Sequence, residues 1–255
     1  MDLDAALRAF AAHPRVLVAL DFDGVLAPIV EDRDAARPLP ESVAALQRLA
    51  ALPKVALALV SGRTMADLRK LASPPPGTVL IASHGAELED PASGDTSGAL
   101  LDVGTQALLA DVLRSLREIV DRHPGTDLEN KPAGGVLHTR TAERDVADDA
   151  TRAVLEGPAT WPGVHAMHGK EDVELSVLDT DKGTALQSIR GRLGAGSDLP
   201  VLYAGDDVTD ENAFAVLRDG DIGIKVGDGE TKARWRVPDP MTFSRLLHSL
   251  AGLLS

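Results

Sequence analysis

The sequence contains no cysteine, and none of its apolar runs is long. The absence of cysteine excludes a disulfide framework and a thiolate metal site, which suits a cytoplasmic location. The apolar runs fall far short of the ~20 residues that a membrane span needs. The first residues, MDLDAALRAF, are acidic where a signal peptide is basic. We therefore expect a cytoplasmic protein with no membrane partner.

Positive charge is also scarce. There are 26 lysines and arginines against 39 aspartates and glutamates, which gives a net charge of −13. No long basic stretch offsets this charge, so repulsion disfavours nucleic acid and anionic membrane surfaces as partners. A small phosphorylated substrate would require local cations or a metal ion.

What is present is an alternation of apolar runs and amphipathic segments. At 255 residues and 44% hydrophobic, the chain is long enough for one large or two moderate domains. Buried strands are predicted at 16–20, 55–60, 79–82, 201–204 and 222–226. Helical spacing separates them, and strand–helix–strand order implies parallel pairing in an α/β fold.

The alternation stops at Asp90 to Gly98, DPASGDTSG, which is typical of a turn or a domain crossing. Beyond it, helices alternate with short strands that suggest hairpins, a pattern that predicts a small α+β layer. We therefore predict a core with a parallel sheet from residues 1–100 and 177–255, and an inserted domain at 101–176.

Two acids, Asp21 and Asp23, follow the first predicted strand. Open parallel sheets bind ligands beyond the carboxyl ends of their strands. Strand alternation would place both carboxylates on the same side, about 7 Å apart, with room for one reacting atom between them. Taken alone, the two acids are explained equally well as caps of the following loop.

Further polar residues stand at or beside other strand ends: Ser61, Lys182, Asp206, Asp207 and Asp210. Carboxylates from separate strands are suitable ligands for Mg²⁺, together with water and substrate oxygens. A hydroxyl and an ammonium add donors for the oxygens of a phosphoryl group. Each residue alone has a structural explanation as a helix cap or first-turn residue. Their joint occurrence favours phosphoryl transfer.

These segments resemble the motifs of the haloacid dehalogenase (HAD) superfamily of phosphohydrolases. DFDGVL is similar to the first motif, Ser61 to the second, Lys182 to the third and GDDVTD to the fourth. Within the superfamily the chain resembles the trehalose-6-phosphate phosphatases, through DFDGVLAPI, SGR, SHGAEL, LENK, HTR, HGKEDVEL, TDKGTAL, GDDVTDENAF and IKVG. The resemblance implies a Rossmann-like HAD core with a mobile cap that closes over it. It also implies hydrolysis of trehalose 6-phosphate through an aspartyl phosphate, with Mg²⁺ as cofactor.

The resemblance also implies roles for individual residues. Asp21 is the implied nucleophile and Asp23 the general acid and base, while Ser61 and Lys182 bind phosphoryl oxygens. Mg²⁺ is held by Asp21, the backbone carbonyl of Asp23 and Asp206, with direct or indirect support from Asp207 and Asp210. The implied substrate-binding residues are Gly24, Gly62, Arg63 and His84 in the core, and Glu129, Lys131, Arg140, Lys170 and Glu174 in the cap.

Two other functions remain open at this stage. A related sugar phosphatase, acting on sucrose phosphate or a glycosyl phosphoglycerate, would share the core and differ only in the cap. A receiver-like module that accepts a phosphoryl group without turnover would need neither Asp23 as an acid nor an inserted cap. The sequence does not specify the oligomeric state, for which a monomer is the expectation.

Overall fold

In the computed structural model, two compact units make up the chain, which is described at residues 2–97, 101, 103–194 and 198–255. Unit 1 comprises Met1–Ser97 and Thr180–Ser255, and unit 2 comprises Gly98–Asp179. The sequence-based boundaries lie at 100/101 and 176/177, compared with 97/98 and 179/180 in the structure. Within the described ranges, no helix combines the length and apolar character that crossing a membrane requires.

The elements follow one another in chain order. The first part of unit 1 contains α1 (Leu3–Ala11), β1 (Val16–Leu20), α2 (Pro40–Ala50), β2 (Val55–Val60), α3 (Met65–Ala72), β3 (Val79–Ala82), β4 (Glu87–Asp90) and β5 (Asp95–Ser97). Unit 2 contains α4 (Val103–Arg122), β6 (Asp127–Lys131), β7 (Gly134–His138), α5 (Arg144–Glu156), β8 (His165–His168) and β9 (Asp172–Ser176). Unit 1 resumes with α6 (Lys182–Gly194), β10 (Val201–Gly205), α7 (Asp210–Ala215), β11 (Ile222–Val226), β12 (Trp235–Val237) and α8 (Pro240–Leu254).

The sheet of unit 1 has the strand order β12-β11-β10-β1-β2-β3-β4-β5 among the described residues. Pairing is parallel from β12 to β3, and β4 and β5 add an antiparallel edge. The carboxyl ends of β1, β2, β3 and β10 therefore lie side by side along the same side of the sheet, at the ends of the strands. Such folds bind their ligands beyond these carboxyl ends.

Both faces of this sheet are covered, and β1 shows how. Val16, Val18 and Leu20 pack into the core that contains the buried side chains of α1, α2, α3 and α8. Leu17 and Ala19 point the other way, into a core shared with α6 and α7. A strand buried on both sides is apolar at every position, which is why β1 is a continuous apolar run.

The predicted bounds of β1, β2, β3 and β11 are confirmed, and β10 is one residue longer than predicted. In the described part of Asp90 to Gly98, residues 91–94 form a turn, as the composition predicts, whereas Asp90 and residues 95–97 belong to strands that the sequence does not predict. The strands β4 and β5 extend the sheet as a hairpin, and the small residues at 91–94 form its turn. Gly98 lies outside the described residues. The strand β12 is not predicted from the sequence, whereas α7, which begins at Asp210, agrees with the structural explanation of the acids in GDDVTD as residues of a helix N-terminus.

Unit 2 is an antiparallel sheet in the order β6-β7-β9-β8, with α4 and α5 against it. Leu137 pairs in register with Leu128 and Val173, and these three side chains share the face towards the helices. A Cβ on Gly135, on the same face, would lie 2.9 Å from side-chain atoms of α4. The opposite face carries polar side chains, Glu129, Lys131, His138 and Glu174, because strand residues alternate between faces.

Candidate active site

Asp21 follows β1 directly and is only 4% exposed. Its Oδ1 accepts a hydrogen bond from the Phe22 amide at 2.6 Å, and its Oδ2 accepts one from the Lys182 ammonium at 2.9 Å. Burial raises the pKa of this carboxyl well above its ordinary value, although Lys182 acts in the opposite direction. The cation next to Asp21 therefore favours the ionised carboxylate but does not outweigh the effect of burial.

Lys182 is the first residue of α6 and is 2% exposed. Its Nζ lies between two carboxylates, donating to Asp21 at 2.9 Å and to Asp210 at 2.8 Å. Burial acts to lower the pKa of Lys182, but the two carboxylates outweigh it and the net effect is a raised pKa. A charged lysine at a helix N-terminus opposes the helix dipole, so its position follows from the site and not from the helix.

Asp210 is fully buried and organises the neighbouring loop. Its Oδ1 accepts hydrogen bonds from Lys182 and from the Tyr203 hydroxyl at 2.7 Å. Its Oδ2 accepts the backbone amides of Asp206 and Asp207, both at 2.9 Å. Burial raises its pKa, but Lys182 and these donors prevail and the pKa is lowered. Tyr203 was not among the predicted site residues, although it interrupts the apolar run of β10.

The carboxylates of Asp21, Asp206 and Asp210 come together, with one oxygen of each within 4.8 Å of the others. Burial and then Asp210 raise the pKa of Asp206 to about 7, against the lowering effect of Lys182 and Lys225. Such a concentration of carboxylate oxygens fits a hard divalent cation, whose charge offsets their mutual repulsion. Each oxygen of Asp210 accepts two hydrogen bonds, whereas each oxygen of Asp21 accepts one, so Asp21 and Asp206 are the better ligands.

Gly24 makes room for the Asp206 carboxylate. A Cβ at this position would lie 1.8 Å from Oδ2 of Asp206, and the backbone of Gly24 has a φ of 69°. Any other residue would both clash and adopt a strained conformation. Asp207 is exposed and lies outside the group of three carboxylates.

Asp23 is held by an arginine from the end of the next strand. Arg63 donates from Nε to Oδ2 at 2.7 Å and from Nη2 to Oδ1 at 2.8 Å. The guanidinium, on a residue only 5% exposed, also lies over the Phe22 ring, 5.4 Å from its centroid. Because β1 ends at Leu20, Asp21 and Asp23 lie beyond the strand and are not two side chains of one extended segment. Their carboxylates have separate partners, Lys182 for Asp21 and Arg63 for Asp23. Arg63 was predicted to bind substrate, and the structure places it on Asp23.

Ser61 and His84 come from the ends of β2 and β3. Ser61 is buried, and its Oγ accepts the Arg63 amide at 3.2 Å. Ser83 and His84 both have positive φ, 47° and 54°, which is a strained conformation for residues with a Cβ. The His84 ring occupies the space above Gly62, where a Cβ would lie 2.4 Å from Nε2. The two loops are joined by hydrogen bonds from the Ser83 amide to the Arg63 carbonyl and from the His84 amide to the Ser61 carbonyl.

Unit 2 brings most of its predicted residues to one polar face. Lys131 donates to Glu174 at 2.7 Å, and His138 lies 2.8 Å from Glu129, nitrogen to oxygen. His138 was missed by the sequence analysis, although it begins the HTR segment.

Two other predicted residues of unit 2, Arg140 and Lys170, are exposed and lie beyond the strand ends. The Arg140 guanidinium is 3.6 Å from the Glu171 carboxylate. Lys170 lies in the turn between β8 and β9. The structure therefore separates these two cations from the Lys131 and Glu174 pair along the sheet.

The sheet order, the paired acids after β1 and the inserted α+β unit define the haloacid dehalogenase fold. A haloacid dehalogenase-like hydrolase from B. subtilis shares this fold, with a TM-score of 0.63 over 91% of this chain and 98% of that one at 16% identity. The family model described as Trehalose-phosphatase matches residues 19–241. The chain belongs to the trehalose-phosphatase family.

Individual relatives agree with this assignment. The chain is 36% identical to a trehalose-phosphate phosphatase of Mycobacterium avium and 34% identical to one of Mycobacterium marinum, over 95% of its own length in each case. It spans 63% of the length of each of these relatives. It is also similar to the C-terminal domain of the Candida albicans trehalose-6-phosphate phosphatase, with a TM-score of 0.81 and 25% identity over 99% of this chain and 97% of that one.

Proposed function

We propose that this chain hydrolyses trehalose 6-phosphate to trehalose and phosphate, with Mg²⁺ as cofactor. The observation that carries the proposal is the buried Asp21 carboxylate, held by Lys182 at the carboxyl edge of the sheet next to Asp206 and Asp210. A buried carboxylate with one oxygen on an ammonium is fixed in orientation and is suited to attack at phosphorus.

In the first half of the reaction, a carboxylate oxygen of Asp21 bonds to phosphorus as the bond from phosphorus to the sugar oxygen breaks. Asp23 gives the departing sugar oxygen a proton, which is required because an alkoxide is a poor leaving group. The Lys182 ammonium and the Ser61 hydroxyl stabilise the negative charge on the phosphoryl oxygens. The product of this step is an aspartyl phosphate on Asp21 and free sugar.

In the second half, Asp23 takes a proton from water, and the water oxygen bonds to phosphorus. The bond between phosphorus and the Asp21 oxygen breaks, which releases phosphate and restores the carboxylate. One residue therefore acts first as an acid and then as a base, and its orientation must be maintained throughout. The two hydrogen bonds from Arg63 to the oxygens of Asp23 would maintain this orientation.

Asp21, the Asp23 carbonyl and Asp206 would hold the Mg²⁺, with Asp210 orienting Asp206 through its backbone amide. When bound, Mg²⁺ supplies positive charge that offsets the charges of the carboxylates and of the phosphoryl group. The net charge of −13 makes this contribution important, because an anionic substrate must approach an acidic protein.

The polar face of unit 2 is the proposed site of sugar recognition. A disaccharide is uncharged and rich in hydroxyls, so it is recognised by carboxylates and cationic donors that converge on one surface. The Lys131 and Glu174 pair and the His138 and Glu129 pair lie on the same face of one sheet and present such groups. A cytoplasmic location and a monomeric state stay predictions from the sequence.

The decisive experiment is a phosphate-release assay over trehalose 6-phosphate, sucrose phosphate, a glycosyl phosphoglycerate and an aryl phosphate, with and without Mg²⁺. We expect hydrolysis of trehalose 6-phosphate to exceed that of the other sugar phosphates and to stop in EDTA. The Asp21→Asn variant should lose at least about a thousandfold in rate while keeping its circular dichroism spectrum. Equal rates on all sugar phosphates would contradict the substrate, and activity of Asp21→Asn within about tenfold of wild type would contradict the nucleophile.

A further inference from the structure

A second buried lysine, Lys225, lies beside the acidic centre and has no role in the chemistry proposed so far. It is 4% exposed and belongs to β11, an otherwise apolar strand. Its Nζ donates to the backbone carbonyl of Asp206 at 2.5 Å. An ammonium is costly to bury, so a lysine at this position needs a reason beyond packing.

The location of Asp206 in the chain explains what this contact does. The pairing of β10 with β11 ends at Gly205 and Lys225, so Asp206 is the first residue beyond the parallel ladder. Its backbone is instead held by side chains on both sides. The amide donates to Oδ2 of Asp210 at 2.9 Å, and the carbonyl accepts from Lys225. Both peptide units of this residue are therefore fixed by buried charged groups.

The space available to the Asp206 carboxylate is also narrow. It fills the gap left by the missing side chain of Gly24, where a Cβ would lie 1.8 Å from Oδ2. A small rotation of the Asp206 backbone would move this carboxylate out of that gap and away from Asp21. Groups that orient a metal ligand without touching the metal typically change metal affinity by about 10–100-fold when removed.

We propose that Lys225 is a positioning residue that fixes the Asp206 carboxylate for binding of a divalent metal ion, an inference that rests on the proposed metal-dependent phosphatase function. Lys225 thus differs in role from Lys182. Lys182 bonds directly to the carboxylates of Asp21 and Asp210, whereas Lys225 bonds to a backbone carbonyl and orients the side chain of the same residue.

The test measures Mg²⁺ binding by calorimetry in the absence of substrate, for wild type and Lys225→Met. We expect the dissociation constant for Mg²⁺ to rise about 10–100-fold in the variant. The rate at saturating Mg²⁺ should stay within about threefold of wild type, because Asp21, Asp23 and Lys182 are unchanged.

Lys54→Met is a matched control. Lys54 also donates to a backbone carbonyl, that of Ala11 at 3.2 Å, but at a position remote from the acidic centre. The control should leave the Mg²⁺ dissociation constant unchanged. Unchanged affinity in Lys225→Met would overturn the inference, whether or not the maximal rate is reduced. If wild type itself bound no Mg²⁺, the metal of the proposed function would fail first, and the two failures are thereby distinguished.

A second variant covers the case in which Lys225→Met does not fold. The natural sequence has no cysteine, so the thiol of a Lys225→Cys variant is unique. Alkylation of the unfolded variant with 2-bromoethylamine, followed by refolding, replaces the lysine with a near-isosteric ammonium. We expect this product to recover the wild-type Mg²⁺ affinity, and the product alkylated with iodoacetamide not to recover it. Equal affinity of the two products would overturn the inference.

Discussion

Arg63 binds both oxygens of the Asp23 carboxylate, with N to O distances of 2.7 and 2.8 Å. The pairing fixes the plane of the carboxylate as well as its position, since the guanidinium fork and the carboxylate are both planar. The loop that carries Asp23 is thereby tied to the end of β2. Arg63 in turn is constrained by the Phe22 ring and by the Ser61 hydroxyl that accepts its amide.

We predict that Arg63→Lys impairs hydrolysis of a sugar phosphate far more than hydrolysis of a p-nitrophenyl phosphate. Lysine keeps the charge but cannot hold two oxygens at once, so the acid is no longer oriented. A sugar leaving group needs protonation, whereas nitrophenolate does not. The expected loss is about tenfold or more for the sugar phosphate and less than about threefold for the aryl phosphate. Equal losses on the two substrates would assign Arg63 to phosphate binding instead.

The raised pKa of Asp206 predicts a pH-dependent effect of Mg²⁺ on stability. Since the pKa rises from 3.8 to about 7 on folding, the metal-free folded protein binds this proton more tightly than the unfolded chain does. Binding of this proton to Asp206 therefore stabilises the folded state. The contribution to the free energy of unfolding is complete below pH 3.8 and is lost as the pH rises through about 7. Mg²⁺ competes with the proton, so the rise in melting temperature caused by Mg²⁺ should increase across the same range.

Melting curves with and without Mg²⁺, recorded from about pH 5.5 to 8.5, check this expectation. The Asp206→Asn variant is the control, because its amide does not titrate and is a weaker ligand. In that variant the Mg²⁺ effect should be small at every pH. An effect of constant size in wild type across the range would contradict the assignment of Asp206 as a ligand.

Tyr203→Phe should lower the free energy of unfolding by about 1.5–3 kcal/mol. The substitution keeps the ring, and with it the edge-on contact with Phe214 at 5.5 Å, but leaves Oδ1 of the buried Asp210 without one donor. Urea denaturation measures the change. Because Lys182 still binds Asp210, catalytic activity should fall by less than about tenfold. An unchanged midpoint would show that the hydroxyl bond is not a source of stability.

Glu174→Gln tests recognition by unit 2. The amide has the shape of the carboxylate but loses the charge that pairs with Lys131 at 2.7 Å. The value of kcat/KM for trehalose 6-phosphate should fall about tenfold or more, and that for an aryl phosphate should change less than about twofold. Asp149→Asn, which removes an exposed carboxylate from α5, is the matched control and should affect neither substrate. Parallel losses on both substrates would remove the main support for a disaccharide substrate.

The central part of the fold was predictable from the sequence because buried parallel strands are continuous apolar runs. The strands β1, β2 and β3 are such runs, and their predicted bounds agree with the structure. The edge strands β4, β5 and β12 are short and carry charged residues such as Glu87, Glu89 and Arg236. Such segments contain no continuous apolar run, so their sequences do not identify them as strands. They are strands because they pair with a neighbouring strand.

Site residues could be predicted from the sequence where they occur in segments that resemble the motifs of the family. Asp21 and Lys182 are each predicted from such a segment, and the structure places Nζ of Lys182 2.9 Å from Oδ2 of Asp21. The partner of Arg63 could not be identified, since nothing local in the chain links it to Asp23. Tyr203 and Lys225 are single polar residues in apolar strands, which is a signal that a polar contact is buried there. The sequence does not reveal which contact that is.

The position of β1 between β2 and β10 affects the order in which the chain can fold during synthesis. β2 begins at Val55, but β10 begins only at Val201, after the whole of unit 2. Until then, β1, a wholly apolar strand, has one free edge, and free strand edges are where nascent chains pair with the wrong partner. Unit 2, being continuous in sequence, can complete its own sheet earlier. A ribosome-bound fragment that ends before residue 201 should therefore bind chaperones through β1, and one that extends past residue 226 should not.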